Sequence, residues 1–143
     1  MDKIDIRLTG GAIIIGSLYW QDSLKDNDQK RKVWRTSSLF FDEEILVKLP
    51  IRYGRFSGND KVYTMVFSLN CEKRNQLGTG YVIPFNKNPI THIDKILCEA
   101  RKMSEVEGNN SKLVKGNKDK WGAICIRLNK KKLDNCSFAL FMT

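Results

Sequence analysis

The hydrophobic pattern of this chain changes period once, and that change sets the class of fold it can adopt. Up to residue 90 the apolar residues alternate or run in short blocks, as strands do. Then Ile93, Ile96, Leu97, Ala100 and Met103 recur at three- and four-residue intervals, and Gly108 follows as a stop. Thr91-His92-Ile93-Asp94 has the spacing of a capping box, with Asp in place of the usual Glu or Gln. One amphipathic helix among many strands implies an α+β domain.

The strands can be placed from residue type. Lys61 to Ser68 is the clearest, with Tyr63, Met65 and Phe67 on one face and Val62, Thr64 and Val66 on the other. Both faces are apolar, so this strand is expected to be central and covered on both sides. Ile4–Leu8 and Ala12–Leu18 bracket a Thr9-Gly10-Gly11 turn, Ile45–Leu49 ends at Pro50, and Thr79–Phe85 precedes the helix. Trp121–Leu128 and Cys136–Met142 close the chain around the turn Lys130–Lys132. Gln21–Lys32 and Gly108–Lys120 are polar and read as surface loops. The expectation is one domain over residues 1–143: a small mixed, mostly antiparallel curled sheet or barrel of about seven strands, with one main amphipathic helix across it. Its core would include Tyr63, Met65, Phe67, Ile83, Ile93, Ile96, Leu97, Ile124 and Ile126, with Cys98 and Cys125 as small core hydrophobes.

Charge and absences narrow the function. At 143 residues, with 25 Lys and Arg against 16 Asp and Glu, the net charge is +9, which favours anionic partners. No apolar run reaches the roughly 18–20 residues of a membrane span. The opening Met-Asp-Lys-Ile-Asp lacks the layout of a secretory signal, so a cytoplasmic protein without membrane contact is expected. Cys71, Cys98, Cys125 and Cys136 are widely spaced and His92 is the sole histidine, a poor set for a metal site. Phosphate-loop, dinucleotide-binding and nucleophile-elbow motifs are missing, and no cofactor is expected.

Three segments carry chemistry. Gly16-Ser17-Leu18, followed by Tyr19-Trp20, comes directly after an apolar run, where backbone N–H groups and a hydroxyl can meet a ligand oxygen or simply form a turn. In Arg52-Tyr53-Gly54-Arg55 two arginines flank a tyrosine, and Trp34-Arg35 is a similar pair; such groups suit a carboxylate or phosphate and a stacking ring, or lie solvated at a sheet edge. Glu105 and Glu107 end the helix, where acidic side chains oppose its dipole. Either both fray at the surface or one has a chemical task.

In that order, Ile15-Gly16-Ser17-Leu18 with Tyr19-Trp20, then Ser104-Glu105-Val106-Glu107-Gly108, the segments resemble the gamma-glutamylcyclotransferase-like superfamily, which includes glutathione-degrading and plant avirulence-induced relatives. Members carry an early Tyr-Gly-Ser-Asn/Leu loop that cradles the amino-acid end of the substrate, and a later acidic general acid/base. Here Ile15 stands where the family has tyrosine, and the acidic role falls on Glu105 or Glu107. The resemblance implies a small-molecule pocket protein. Its small anionic ligand would meet Gly16, Ser17, Leu18, Tyr19, Trp34, Arg35, Arg52, Tyr53 and Arg55. If it is an enzyme, the reaction would be cyclotransferase-type amide chemistry. The alternative is a non-catalytic binder that sequesters a nucleotide-like ligand. The third reading is a nucleic-acid-binding basic domain using Lys112–Lys120 and Lys130–Lys132. Oligomeric state is not readable from these features.

Overall fold

Among the described residues, the strand buried on both faces is β1 (Thr9–Ile14), where Ala12 and Ile14 enter one hydrophobic cluster and Ile13 another. Successive strand side chains point to opposite faces, so β1 divides two cores. The computed structural model describes residues 9–58, 61–108, 124–128 and 137–142. From β1 the chain passes through a short helix α1 (Ser17–Trp20), helix α2 (Asp26–Ser38) and a 3-10 turn (Phe41–Glu43). Strand β2 (Ile45–Leu49) and the hairpin β3 (Ile51–Ser57) and β4 (Val62–Phe67) follow. Next come the short helix α3 (Leu69–Lys73), strand β5 (Gly78–Pro84), helix α4 (Ile93–Val106) and strands β6 (Ile124–Leu128) and β7 (Ser137–Met142).

Five strands form one sheet in the order β2-β5-β1-β7-β6, antiparallel throughout except for the parallel pair β1 and β7. The pairing of β1 with β5 sets Ala12 against Ile83 and Ile14 against Tyr81. Beside it, the Asn88 amide exchanges two 2.9 Å hydrogen bonds with the backbone N–H and C=O of Gly10. On one face, Trp34 of α2 and Ile96, Ala100, Met103 and Val106 of α4 close over Ala12, Ile14, Ile83 and Phe85. On the other face the hairpin brings Ile51, Met65 and Phe67 against Ile13, Val47, Leu49 and Val82. The result is three layers: helices, a five-stranded sheet and a two-stranded sheet.

The α+β class stands, but the sheets are open rather than curled into a barrel. Closure would need β2 and β6 to pair, and they lie at opposite ends of the order, while β3 and β4 form a sheet of their own. Among the described residues there are two main helices, because α2 occupies much of the expected loop Gln21–Lys32. The Lys61–Ser68 segment is a strand of the outer hairpin, so Tyr63 is exposed and Met65 and Phe67 are half-buried. The expected Gly10-Gly11 turn lies inside β1. Ile93 and Cys98 are exposed on α4 and Leu97 is half-buried, since the buried stripe runs through Ile96, Ala100 and Met103. The side chains of Ile124 and Ile126, residues Ile4–Leu8, Cys136 and the basic segments 112–120 and 130–132 lie outside the described residues. No described helix is long and apolar enough to cross a membrane.

Candidate functional site

Past the end of β1 the chain must turn sharply to enter α1, and it does so at Gly16. Its backbone (φ 60°, ψ −142°) lies where residues with a side chain rarely go. A Cβ there would also sit 3.6 Å from that of Met65 in β4. The Tyr19 N–H donates to the Gly16 carbonyl at 3.1 Å and completes the turn. Behind it, the buried Arg35 of α2 donates from Nη1 to the Leu18 carbonyl at 2.8 Å and from Nη2 to the Gln21 carbonyl at 2.9 Å. Its guanidinium therefore fixes the segment Leu18–Gln21 from inside, and desolvation pulls its pKa down.

A cavity of about 540 Å³ opens at this turn. One wall is Gly16, Ser17 and Leu18; the first turn of α2 brings Asp26, Asn27 and Asp28; the hairpin brings Arg55, Ser57, Thr64 and Met65. Arg31 reaches in from α2, and Met103 and Glu107 from the end of α4. Within the hairpin the Thr64 hydroxyl donates to the Arg55 carbonyl at 3.2 Å.

Arg31 organises the charge. Its Nε lies 3.2 Å from Oε1 of Glu107, misaligned for a hydrogen bond, while its Nη1 lies 3.4 Å from Oδ1 of Asp28 and donates to Oε1 of Gln21 at 3.1 Å. The other oxygen of Asp28 accepts from the Ser23 hydroxyl. Both carboxylates are deep, with side chains 8% and 4% exposed for Glu107 and Asp28. Burial pushes the Glu107 carboxyl above the ordinary carboxylate range, and the positive charges of Arg31 and Arg55 only partly offset it. Desolvation likewise lowers the pKa of Arg55, with the Glu107 charge opposing. A carboxyl whose pKa is raised by burial, inside a cavity edged by two guanidinium groups, can take up or give a proton close to a bound anion.

The residues singled out in the sequence divide in two. Gly16, Ser17, Leu18, Arg55 and Glu107 line this one cavity. Arg52 does not, although the register shift that leaves Gly54 without a cross-strand partner pairs Arg52 with Val66 and Arg55 with Thr64, two residues apart, and so sets both arginines on one face of the hairpin. Arg52 instead donates to the Ser68 hydroxyl at 3.3 Å in an exposed position, and Tyr53 is exposed. Trp34 belongs to the helix-side core and Arg35 acts behind the turn, so neither forms a rim. Tyr19 stacks on Tyr81 with ring centroids 4.4 Å apart and donates to Glu44 at 2.7 Å. That hydrogen bond, with burial, pushes its pKa up to about 12. Glu105 is exposed and does not line the cavity.

Sequence reasoning missed Arg31 and Asp28. They were readable in principle: Asp28, Arg31, Arg35 and Ser38 recur at three- and four-residue spacing, a helical stripe written in polar residues. Among the described residues no group of three or more His, Cys, Asp or Glu is placed to hold a metal ion. No protein-family model, no curated protein and no solved structure matches this chain.

Proposed function

We propose that the protein binds a small anionic molecule in the cavity at the end of β1, and that cyclotransferase-type cleavage of a γ-glutamyl amide is the reaction its groups fit best. The observation that carries this reading is the burial of Glu107 beside Arg31 and Arg55, in the cavity that the Gly16-Ser17-Leu18 turn also lines. Arginines recognise a carboxylate by paired N–H donors, and the turn offers polar groups to the other end of the ligand. The ionised fraction of Glu107 then accepts a proton from the ligand's own neutral α-amine as that nitrogen attacks the side-chain carbonyl carbon. It returns the proton to the departing amine as the amide C–N bond breaks, leaving a five-membered lactam. An anion also favours the protonated form of Glu107, so binding tightens as pH falls through the raised pKa.

The test uses a panel of γ-glutamyl amides, with lactam and freed amine followed by mass spectrometry and affinity by calorimetry. Glu107→Gln is expected to abolish turnover while keeping affinity, and Arg55→Ala to weaken binding while leaving the melting temperature nearly unchanged. Full turnover in Glu107→Gln would remove Glu107 from the mechanism, and binding without turnover in the wild type would leave a binder. A nucleotide-like ligand has less support, because Trp34 is held in the core and is not free to stack on a base.

One observation favours the nucleic-acid reading. Tyr53, Phe56 and Tyr63 are exposed on one face of the β3–β4 hairpin, as in a platform for unpaired bases. Fluorescence anisotropy with single-stranded oligonucleotides at low salt checks it. The absence of binding there would dismiss it.

A further inference from the structure

Strand β2 ends the five-stranded sheet, and its outer edge carries no strand among the described residues. Such an edge presents a row of backbone donors and acceptors and is a template for pairing. Here it is also apolar: Ile45 and Leu46, on opposite faces of the strand, are 57% and 61% exposed. Natural edges are commonly guarded by a charge, and Lys48 is in the place for one.

The sequence around β2 removes that guard for one partner only. The extended backbone begins at Glu44, giving Glu44-Ile45-Leu46-Val47-Lys48. When a second copy runs antiparallel about Leu46, Glu44 stands opposite the partner's Lys48, twice by symmetry. Leu46 meets Leu46 of the partner subunit, and Ile45 meets Val47 of the partner subunit. Glu44, Leu46 and Lys48 share one face, so both ion pairs flank the leucine contact. Both charged side chains are exposed, and their present contacts, with the Tyr19 hydroxyl at 2.7 Å and the Thr79 hydroxyl at 3.1 Å, leave them at the surface. A pattern that is its own complement under a two-fold axis is the signature of an isologous contact.

We propose that two copies of this chain form a symmetric dimer by antiparallel pairing of β2 about Leu46, joining their sheets into one ten-stranded sheet. This does not depend on what the cavity binds. The test is analytical ultracentrifugation of the full chain over a wide concentration range, with circular dichroism to confirm folding. The wild type is expected to reach the mass of two chains. Glu44→Lys and Lys48→Glu each place two like-charged pairs across the axis and should weaken the dimer about tenfold or more. The double variant Glu44→Lys/Lys48→Glu restores both pairs and should recover wild-type association. Leu46→Lys should give a folded monomer, and Tyr19→Phe, which frees Glu44 of its local bond, should still dimerise. A wild type that stays monomeric, a dimer unmoved by the single charge swaps, or a double variant that fails to recover would each overturn the proposal.

Discussion

At the end of β1 the protein puts charge inside, with Asp28 and Glu107 buried on either side of Arg31. Along the outer edge of β2 it does the reverse and leaves Ile45 and Leu46 in water. Neither choice stabilises the isolated chain. A buried ion pair recovers its desolvation cost only with good geometry, and an exposed isoleucine contributes no burial. The intervening structure is conventional: Ala12, Ile14 and Ile83 are fully buried between the helices and the sheet. Two neighbouring regions thus depart from the usual partition in opposite senses, one enclosing a cavity and the other bounding an open edge. Both departures fall where a role is proposed above, the cavity for a ligand and the edge for a second copy.

The largest expected effect breaks the cavity's charge balance. Arg31→Met leaves Asp28 and Glu107 buried without their cation and should cost about 3–5 kcal/mol at neutral pH. The loss should shrink in acid, where Glu107 takes up a proton; urea denaturation at several pH values measures both. Gly16→Ala forces a side chain into a backbone region that glycine tolerates, for about 1–3 kcal/mol, and should loosen the cavity wall as read by hydrogen exchange at Ser17–Tyr19.

Glu107→Gln gives a smaller effect with a defined sign. The folded chain holds this proton to higher pH than the unfolded chain, so the wild type loses stability as pH rises from the ordinary carboxylate range through the raised pKa. The glutamine variant lacks that slope, and its stability relative to wild type should rise across the same window. Smallest is Leu46→Ser on the β2 edge, expected to change the stability of dilute protein by no more than about 0.5 kcal/mol. A cost typical of core leucine would mean that this edge is already covered in the monomer.

Helix α4 was legible because its buried face is apolar, and the same phase distinguishes the two carboxylates: Glu107 follows Met103 by four residues, whereas Glu105 falls off that face. Helix α2 was not, because its buried residues are Asp28, Arg35 and Ser38 beside a single apolar one, Trp34, and a hydrophobicity pattern assigns the polar three to solvent. Arg35 was singled out in the sequence, but nothing local says that a guanidinium will turn inward to hold two carbonyls. The bulge at Gly54 is invisible to strict alternation, which would set Arg52 and Arg55, three residues apart, on opposite faces; what separates them is position along the hairpin, with Arg52 turned to Ser68. The apolar richness of Val62–Phe67 suggested a central strand; it belongs instead to a hairpin with one covered and one open side, while β1 takes the central position.

The account rests most on Glu107 as a proton-holding group at a ligand-accessible wall. Carbon-13 NMR of the labelled glutamate carboxyls, titrated in the wild type and assigned by Glu107→Gln, measures this directly. The Glu107 carboxyl is expected to titrate above the ordinary carboxylate range and to move further up when a small anionic γ-glutamyl amide fills the cavity. A carboxyl that titrates in the ordinary range, and does not respond to any such ligand, would contradict the account.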